Sequence, residues 1–326
     1  MSHEKSSTSP AFMTRRRILR NLGMALAVVP IGKLIACSSD SPGEPGDGTD
    51  GGTNPDGGTS SGAWATGGTA AMAGNYPDPF ASGIGSVCAL TCAATLGPCY
   101  ANTLVRKDIS EGHDGLPVRL ALLVVDTACK PIQGAAVDIW HTAPHGLYSG
   151  EDASTFCTSG DEGATSARWF RGVQTTDANG RVDFDTCFPG WYSSRTIHIH
   201  FTVRVNGSEY VTSQLFFDDA LNDDIIGTQP LYNTRGQRDT TNSNDTVISA
   251  SAVGDYTLQT QRMADGALLA WKTLVIRSSL SDALCDVPGG SGGGGGGPPP
   301  GFDGGMPPPR GDGGMGPPPG FDGGQG

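Results

Sequence analysis

The chain has 326 residues, with 21 basic and 33 acidic side chains and a formal net charge of −12. Residues 1–36 contain six of the basic side chains and one acidic side chain, so the remainder carries a net charge of 15 − 32 = −17. Residues 81–285 hold 14 basic and 22 acidic side chains, and this net charge of −8 argues against a nucleic-acid groove. The length of this segment suits a single domain.

The amino-terminal residues have the layout of an export signal. Four arginines at residues 15–20 precede an uncharged stretch at residues 21–32, which is much shorter than the roughly 20 apolar residues of a membrane-spanning helix. Residues 14–19 resemble a twin-arginine signal, and an ordinary signal with a basic start is the alternative. Residues 1–36 are therefore predicted to be a signal peptide.

The end of this segment resembles a bacterial lipobox, with the sequence Leu-Ile-Ala-Cys at residues 34–37. Cys37 would then be the lipidated first residue of an exported, membrane-anchored lipoprotein on the periplasmic or cell-surface side. Ser38 is not the aspartate typical of inner-membrane retention, so the outer membrane is the expected location.

Two segments are too poor in apolar residues to offset the entropy lost on ordering. Residues 37–80 are dominated by Gly, Ser, Thr, Pro and Asp, and residues 287–326 contain a run of glycines and two copies of Pro-Pro-Pro-Gly-Phe-Asp-Gly-Gly. They are predicted to be a flexible tether and a disordered tail around a folded domain at residues 81–286.

Seven cysteines remain when Cys37 is set aside. They are Cys88, Cys92, Cys99, Cys129, Cys157, Cys187 and Cys285. In an oxidising compartment up to three disulfides are expected, with one thiol left free or bonded to another molecule. A metal cluster at Cys88, Cys92 and Cys99 is the alternative, which the lack of a nearby histidine pair disfavours.

Short runs of alternating apolar and polar residues predict an all-β fold, an antiparallel β-sandwich. The predicted strands are residues 118–125, 135–140, 181–185, 196–205, 210–217 and 270–276, with turns at residues 126–133, 177–180 and 206–207. No long stretch has a clear helical period.

The strand at residues 196–205 carries two histidines on one face. Alternate side chains of a strand point to opposite sides, so His198 and His200 project together while Ile197 and Ile199 form part of an apolar face. The pair suggests a metal site, although a His-x-His pattern is also common on solvated strands.

Two tyrosines in glycine-containing loops narrow the choice of metal. Tyr148 follows Gly146, and Tyr192 follows Gly190. A phenol with a pKa of about 10 binds a metal at neutral pH only when the ion is acidic enough to displace its proton. Fe(III) suits phenolate oxygen, so the residues predict a ferric site.

Together with their context, these residues resemble the intradiol ring-cleavage dioxygenases, which open catechols between the two hydroxyls. The matching segments are LVRKDI (104–109), EG (111–112), GAAVDIWH (134–141), GLYSG (146–150), FRG (170–172), TDANG (176–180), PGWYSSRTIHIHF (189–201), SQLFF (213–217) and RGQRDT (235–240). The resemblance covers most of residues 81–286.

The resemblance implies a role for each residue of the site. Tyr148, Tyr192, His198 and His200 would bind Fe(III), together with a solvent hydroxide. Tyr192 would be displaced by the catechol and, with the hydroxide, would take up its protons. Arg195 would stabilise negative charge developing on the substrate ring, and Gln214 would line the pocket; their alternatives are a surface arginine and a cross-strand amide.

Other residues near the ligands are open to two interpretations. Trp140, Trp191 and Ile197 could wall the pocket, but such residues more often belong to the core. His141 and His145 could form a second metal site or a proton relay, although loop histidines are usually just polar loop residues.

The sequence departs from the family pattern in three ways. The loop between Tyr192 and His198 is short, as in a group of exported relatives, which leaves the substrate open. Thr142 stands where those relatives often carry a cysteine, so Cys129 would pair elsewhere. The long amino-terminal helical region that mediates dimerisation in the catechol enzymes has no counterpart, so no oligomeric state is predicted.

The sequence thus predicts an Fe(III) dioxygenase that uses a catechol-type substrate and O2 to give a muconate-type product. A non-catalytic lipoprotein whose β-sandwich binds a ligand or carbohydrate is the alternative from another class. A third reading is an Fe(II) oxygenase that uses His198, His200 and either Asp183 or Asp218.

Overall fold

The computed structural model describes residues 63–85 and 88–289. The predicted signal peptide, the lipidated Cys37, the first part of the predicted tether and the tail from residue 290 onward lie outside the described residues. Within the described part, no helix has the length and apolar character needed to cross a bilayer.

In the described residues, eight strands form two sheets that face each other. They are β1 (Pro117–Asp126), β2 (Ala136–Trp140), β3 (Arg171–Thr175), β4 (Arg181–Cys187), β5 (His198–Val205), β6 (Ser208–Phe216), β7 (Gln259–Arg262) and β8 (Leu268–Ile276). The first sheet has the order β4-β1-β8-β7, and the second has the order β3-β2-β5-β6. The predicted β-sandwich is confirmed, with the refinement that β1 and β8 run parallel while the other pairs are antiparallel.

Each of the six predicted strands overlaps an observed strand, whereas β3 and β7 were not predicted. β7 has the sequence Gln-Thr-Gln-Arg, which contains no apolar residue to mark a buried face. β3 begins at a fully buried arginine, Arg171, which a binary pattern of apolar and polar residues counts as exposed. Neither strand can therefore be predicted from the alternation of apolar and polar residues.

Several short helices lie before the first strand and in the connections between strands. They are a 3₁₀ helix (Gly68–Ala71), α1 (Thr155–Thr158), α2 (Glu162–Ser166), α3 (Asp219–Thr228), α4 (Pro230–Asn233) and α5 (Val253–Tyr256). The longest, α3, is capped by Asp218, whose side chain accepts a hydrogen bond from the amide of Ala220. Only Asn222, Ile225 and Ile226 of α3 are buried, which explains why the sequence shows no clear helical period there.

The core lies between the two sheets and follows from strand alternation. Val118, Leu120 and Leu122 of β1 and Ile199 and Phe201 of β5 are fully buried in it. Side chains at the intervening positions therefore point to the outer faces of the sandwich. The predicted turn between β5 and β6 is formed by Asn206 and Gly207, both with the positive φ that a tight hairpin requires.

Three disulfides join Cys88 to Cys129, Cys92 to Cys285 and Cys99 to Cys157, and Cys187 is a buried free thiol. Their number matches the expectation from the sequence, and Cys129 has a partner outside the Trp-His region. The alternative of a metal cluster at the three amino-terminal cysteines is wrong, because each sulfur belongs to a different disulfide.

The amino-terminal segment, residues 63–85, lies against the sandwich. Trp64 packs on the core, and the hydroxyl of Tyr76 donates to Asp265 at 2.8 Å. Arg181 of β4 forms an ion pair with Asp78 at 2.7 Å. Residues 63–80, which lie within the predicted tether, thus contact the sandwich, because the aromatic side chains of this glycine-rich segment have apolar surface to bury.

Candidate functional site

The outer face of the second sheet carries a row of buried side chains across its four strands. The pairing register places Arg171 of β3 beside Trp140 of β2, Trp140 beside His200 of β5, and His200 beside Gln214 of β6. All four residues are at most 2% exposed. His198 follows on the same face, so alternation along β5 directs both imidazoles outward, as the sequence predicts.

Two phenols and two imidazoles converge above this row. The Nε2 atom of His198 lies 3.3 Å from the Oη atom of Tyr148, 3.3 Å from the Oη atom of Tyr192 and 3.1 Å from the Nε2 atom of His200. The structure thus brings together all four residues that the resemblance assigns as metal ligands. Their donor atoms lie within the spacing of ligands around a single ion.

Close backbone approaches bring the two tyrosine loops together. A Cβ atom on Gly146 would lie 2.3 Å from the carbonyl oxygen of Trp191, and one on Gly190 would lie 2.1 Å from that of Pro144. Gly146 also has a φ of +82°, which side chains disfavour. Both glycines therefore allow the segment before Tyr148 to lie against the segment before Tyr192.

Burial keeps the four candidate ligands neutral in the metal-free protein. Desolvation lowers the pKa values of His198 and His200 well below their usual range and raises those of Tyr148 and Tyr192. The Nδ1–H group of His198 donates to the carbonyl of Thr196 at 2.7 Å, so its Nε2 lone pair points into the cluster. A bound cation would favour phenolate oxygens over phenols.

The donor set fits a hard, highly charged cation. Two oxygens that become anionic and two neutral imidazole nitrogens are available, in a site from which water is largely excluded. The Nε2 atom of His200 faces the Nε2 atom of His198 at 3.1 Å, so it is the ring nitrogen in position to bind a metal. The Nδ1 atom of His200 is buried without a hydrogen-bond partner among the described residues.

Arg195 and Gln214, the predicted catalytic pair, are in contact beside the cluster. A guanidinium nitrogen of Arg195, Nη2, donates to the Oε1 atom of Gln214. The amide nitrogen of Gln214 donates to the carbonyl of Thr95 at 3.1 Å. The positive charge of Arg195 opposes the pKa increase that burial imposes on Tyr148 and Tyr192.

Of the remaining residues near the candidate ligands, some line the site and others belong to the hydrophobic core. Trp140 stacks on the ring of His200 at a centroid distance of 4.9 Å, so it is a wall of the site, while Ile197 belongs to the core. Trp191 lies beneath the guanidinium of Arg235, 4.4 Å from its ring centroid.

The two loop histidines lie outside the donor cluster. His141 is held between the carbonyl of Thr142 and the hydroxyl of Thr186, and burial lowers its pKa to about 4. His145 packs edge-on against Trp169 at 6.0 Å. Neither is in a position to relay protons through the contacts that the structure shows.

The carboxylates of the alternative Fe(II) site, Asp183 and Asp218, lie outside the cluster of candidate ligands. Asp183 accepts a hydrogen bond from Arg181 on the first sheet, and Asp218 caps α3. Among the described residues, no group of three or more His, Cys, Asp and Glu side chains could hold a metal ion. An arrangement of two histidines and one carboxylate is therefore not present in this part of the chain.

Two residues that the sequence did not predict as members of the site, Arg171 and Asp245, lie beside the cluster. Arg171 donates to the carbonyls of Ser149 and Cys99 and lies over the ring of Tyr148, 5.9 Å from its centroid. Asp245 forms an ion pair with Arg195. Arg171 could have been found from its place in the FRG segment, whereas no local pattern marks Asp245.

Comparison with known proteins supplies the family. A family model described as "Dioxygenase" matches residues 95–252. Chlorocatechol 1,2-dioxygenase of Pseudomonas putida is 29% identical over 105 residues, 27% of this chain and 36% of the relative. Catechol 1,2-dioxygenase 1 of Acinetobacter lwoffii is 27% identical over 146 residues, 39% of this chain and 43% of the relative. The chain thus spans less than half the length of either relative.

Two solved structures are similar over most of their own length. An intradiol ring-cleavage dioxygenase from Tetranychus urticae is 29% identical with a TM-score of 0.52, covering 58% of this chain and 95% of that chain. A second dioxygenase is 30% identical with a TM-score of 0.50 and the same coverage of both chains.

Proposed function

Because the chain belongs to the intradiol ring-cleavage dioxygenase family, we propose that it is a non-haem Fe(III) enzyme. It opens a catechol-type ring between the two hydroxyls, inserting both atoms of O2 to give a muconate-type product. The observation that carries the proposal is the convergence of Tyr148, Tyr192, His198 and His200. A binding module without chemistry has no need of two phenols facing two buried imidazoles.

The protein's own residues divide the work between them. Fe(III) would be held by the two phenols and two imidazoles and would supply Lewis acidity that draws electron density from the bound catechol. Tyr148 is 2% exposed beneath Arg171, whereas Tyr192 is only half-buried on its loop. Tyr192, held as a phenolate when the metal is bound, would therefore be the ligand that can leave the cluster and take up a substrate proton at Oη.

Arg195 and Gln214 act on the substrate ring. The guanidinium is a permanent positive charge that stabilises negative charge developing on the attacked carbon. Gln214 holds the guanidinium through its Oε1 atom while its Nε2 atom is anchored to the backbone of Thr95. Trp140 excludes water from one side of His200.

The protein is further proposed to be an exported lipoprotein, anchored through Cys37 to a membrane, with the outer membrane as the expected one. The three disulfides support this location, because disulfides persist in oxidising compartments and are rare in the cytosol. Mass spectrometry of the membrane fraction would test it: a Cys37 peptide carrying a lipid modification is expected, and a protein retaining residues 1–36 would contradict the anchor.

The test of the function begins with colour. The purified protein should contain about one iron per chain and show a red-brown phenolate-to-iron absorption band that shifts when catechol is added. Oxygen uptake with a panel of substituted catechols should then identify the substrate. Iron-loaded protein without colour would contradict the proposal, and coloured protein that consumes no oxygen with any catechol would favour the non-catalytic alternative.

Matched substitutions test the ligand assignment. Tyr192→Phe should shift the absorption band, and His200→Ala should abolish iron retention. Tyr210→Phe, at the far end of the β5–β6 hairpin, and His113→Ala, outside the cluster, should change neither property. If the first two variants keep the wild-type colour and iron content, the assignment of ligands is wrong.

A further inference from the structure

The structure points to Asp245 as a positioning residue that holds Arg195 in its catalytic orientation. The inference rests on the proposed function, since it gives Arg195 a role in the reaction. It adds a residue, outside the short motifs that mark the other site residues in the sequence, on which the rate of ring cleavage depends.

Asp245 is a buried carboxylate whose two oxygens are fully used. Its side chain is 0% exposed, and Oδ2 accepts from the Nε atom of Arg195 at 3.0 Å and from the amide of Thr196 at 2.8 Å. Oδ1 accepts from the amides of Val247 and Ile248 at 2.8 and 3.1 Å. One oxygen therefore holds Asp245 in its own turn, and the other holds the arginine and the ligand loop.

The guanidinium of Arg195 is held from two sides. Asp245 engages Nε, and Gln214 engages Nη2. A guanidinium bonded through two of its three nitrogens has little freedom to rotate, since it is planar. With Asp245 removed, Gln214 alone would hold a side chain whose long aliphatic stem allows many rotamers.

The same region of the chain holds the whole loop between the second tyrosine and the first histidine. We call this segment, residues 239–248, the clamp. The carboxylate of Asp239 accepts hydrogen bonds from the hydroxyl of Ser193 at 2.6 Å and from the amide of Ser194 at 3.1 Å. The hydroxyl of Thr246 donates to the carbonyl of Ser194 at 3.1 Å. The hydroxyl of Thr196 donates to the side-chain oxygen of Asn242 at 2.8 Å. Every residue from 193 to 196 therefore bonds to the clamp.

Within the clamp, Asp245 is the residue that contacts Arg195, the side chain proposed to act on the substrate. Asp239 is exposed and bonds only to loop residues 193 and 194 and to the neighbouring Thr240 among the contacts shown. Asp245 is buried and reaches the guanidinium itself. Loss of Asp245 should therefore affect the rate of ring cleavage rather than the affinity for iron.

Asp245→Asn is the test, because it keeps the shape of the side chain and replaces an acceptor oxygen by a donor nitrogen. In the iron-loaded protein, kcat and kcat/KM for the best catechol should fall together by about 10- to 100-fold, with KM and the colour unchanged. In an Arg195→Met background the same substitution should cause no further loss of kcat.

Asp185→Asn is the matched control. It breaks an ion pair on the other sheet with Arg119, whose side chain is as buried as that of Arg195, and kcat should stay at the wild-type value. The inference is overturned if kcat of Asp245→Asn stays within about twofold of wild type, or if its effect multiplies with that of Arg195→Met, as independent structural damage would do.

A second measurement needs neither iron nor activity. In metal-free protein labelled with 15N-arginine, the Nε–H signal of Arg195, assigned by its loss in Arg195→Met, should be sharp and slow to exchange with solvent. It should broaden or vanish in Asp245→Asn. A wild-type Nε–H signal that exchanges as fast as those of exposed arginines overturns the inference even if Asp245→Asn fails to fold. Failure of the proposed function alone would leave this protected signal intact.

Discussion

The two sheets share one apolar core, but their outer faces are covered in different ways. On the first sheet, ion pairs join Arg119 to Asp185 and Arg181 to Asp78, and the last carboxylate is 51% exposed. The amino-terminal segment lies over this face with the ring of Tyr76 beneath the guanidinium of Arg119. Charged groups at this face keep partial access to water, so pairing them requires little desolvation.

On the second sheet, the row from Arg171 to Gln214 is buried, and its cover is tied down by the disulfide between Cys99 and Cys157. Polar groups at this depth must be neutral or hydrogen-bonded, because an unpaired buried charge is unstable. The imidazoles meet this condition by staying neutral, and Arg171 meets it by donating to backbone carbonyls. The desolvated outer face, with its neutral imidazoles, is therefore the one whose side chains suit a metal cation.

The largest effect should come from Arg171→Met. Burial lowers the pKa of this guanidinium only to about 10, so it is charged at neutral pH and donates to the carbonyls of Cys99 and Ser149. Its loss leaves those carbonyls unpaired and should lower the free energy of unfolding by about 4 kcal/mol. Urea unfolding of the metal-free protein measures this.

Arg119→Met on the first sheet is the control for that prediction. Its partner Asp185 remains 19% exposed and can be hydrated, so a loss of about 1 kcal/mol is expected. Equal losses for the two arginines would show that the outer faces do not differ in desolvation.

Removing the disulfide over the second sheet should have two consequences. The double substitution Cys99→Ser and Cys157→Ser should lower the free energy of unfolding by about 3 kcal/mol. It should also weaken iron binding, because the amide of Tyr148 donates to the carbonyl of Cys157 at 3.0 Å. Iron titration followed by the absorption band tests the second effect.

The matched control is the pair Cys88→Ser and Cys129→Ser, whose disulfide lies over the first sheet beside Leu123 and Val125. It should lower stability by a similar amount and leave iron affinity unchanged. Weaker iron binding in this variant as well would mean that the segments covering the outer faces of the two sheets are not independent of each other.

The metal-free protein should lose stability as the pH falls below about 6.5. Burial lowers the pKa of His141 to about 4 and those of His198 and His200 well below their usual range, so the unfolded chain binds protons that the folded chain cannot. His141 alone should decrease the free energy of unfolding by about 2 kcal/mol between about pH 7.5 and about pH 5.

Urea unfolding at both pH values measures this decrease, and His200→Asn should reduce it. Stability that rises as the pH falls through this window would show that the histidines are charged in the folded protein.

The smallest effect should come from Asp78→Ala. This carboxylate is half exposed, and its partner Arg181 keeps a second ion pair with Asp183, so a loss of about 0.5 kcal/mol or less is expected. Thermal unfolding at low and high salt measures it. A loss above about 1.5 kcal/mol would mean that charge rather than aromatic packing holds the amino-terminal segment on the first sheet.

The sequence by itself determined the features that depend on local geometry. The alternation along β5 places His198 and His200 on one face, since the side-chain period of a strand is independent of the rest of the fold. The same period predicted the sandwich core, and Asn206-Gly207 predicted the hairpin because few other residue pairs adopt two successive positive φ angles.

Only the tertiary structure decided what covers each outer face and what holds Arg195, the proposed catalytic arginine. Arg195 is 50 residues from Asp245, and Gln214 is 119 residues from Thr95. The disulfide partners and the contacts of Trp64 are similarly distant in the chain. The physical reason is that such contacts arise when folding brings remote segments together, and no periodic pattern in the sequence records which segments will meet.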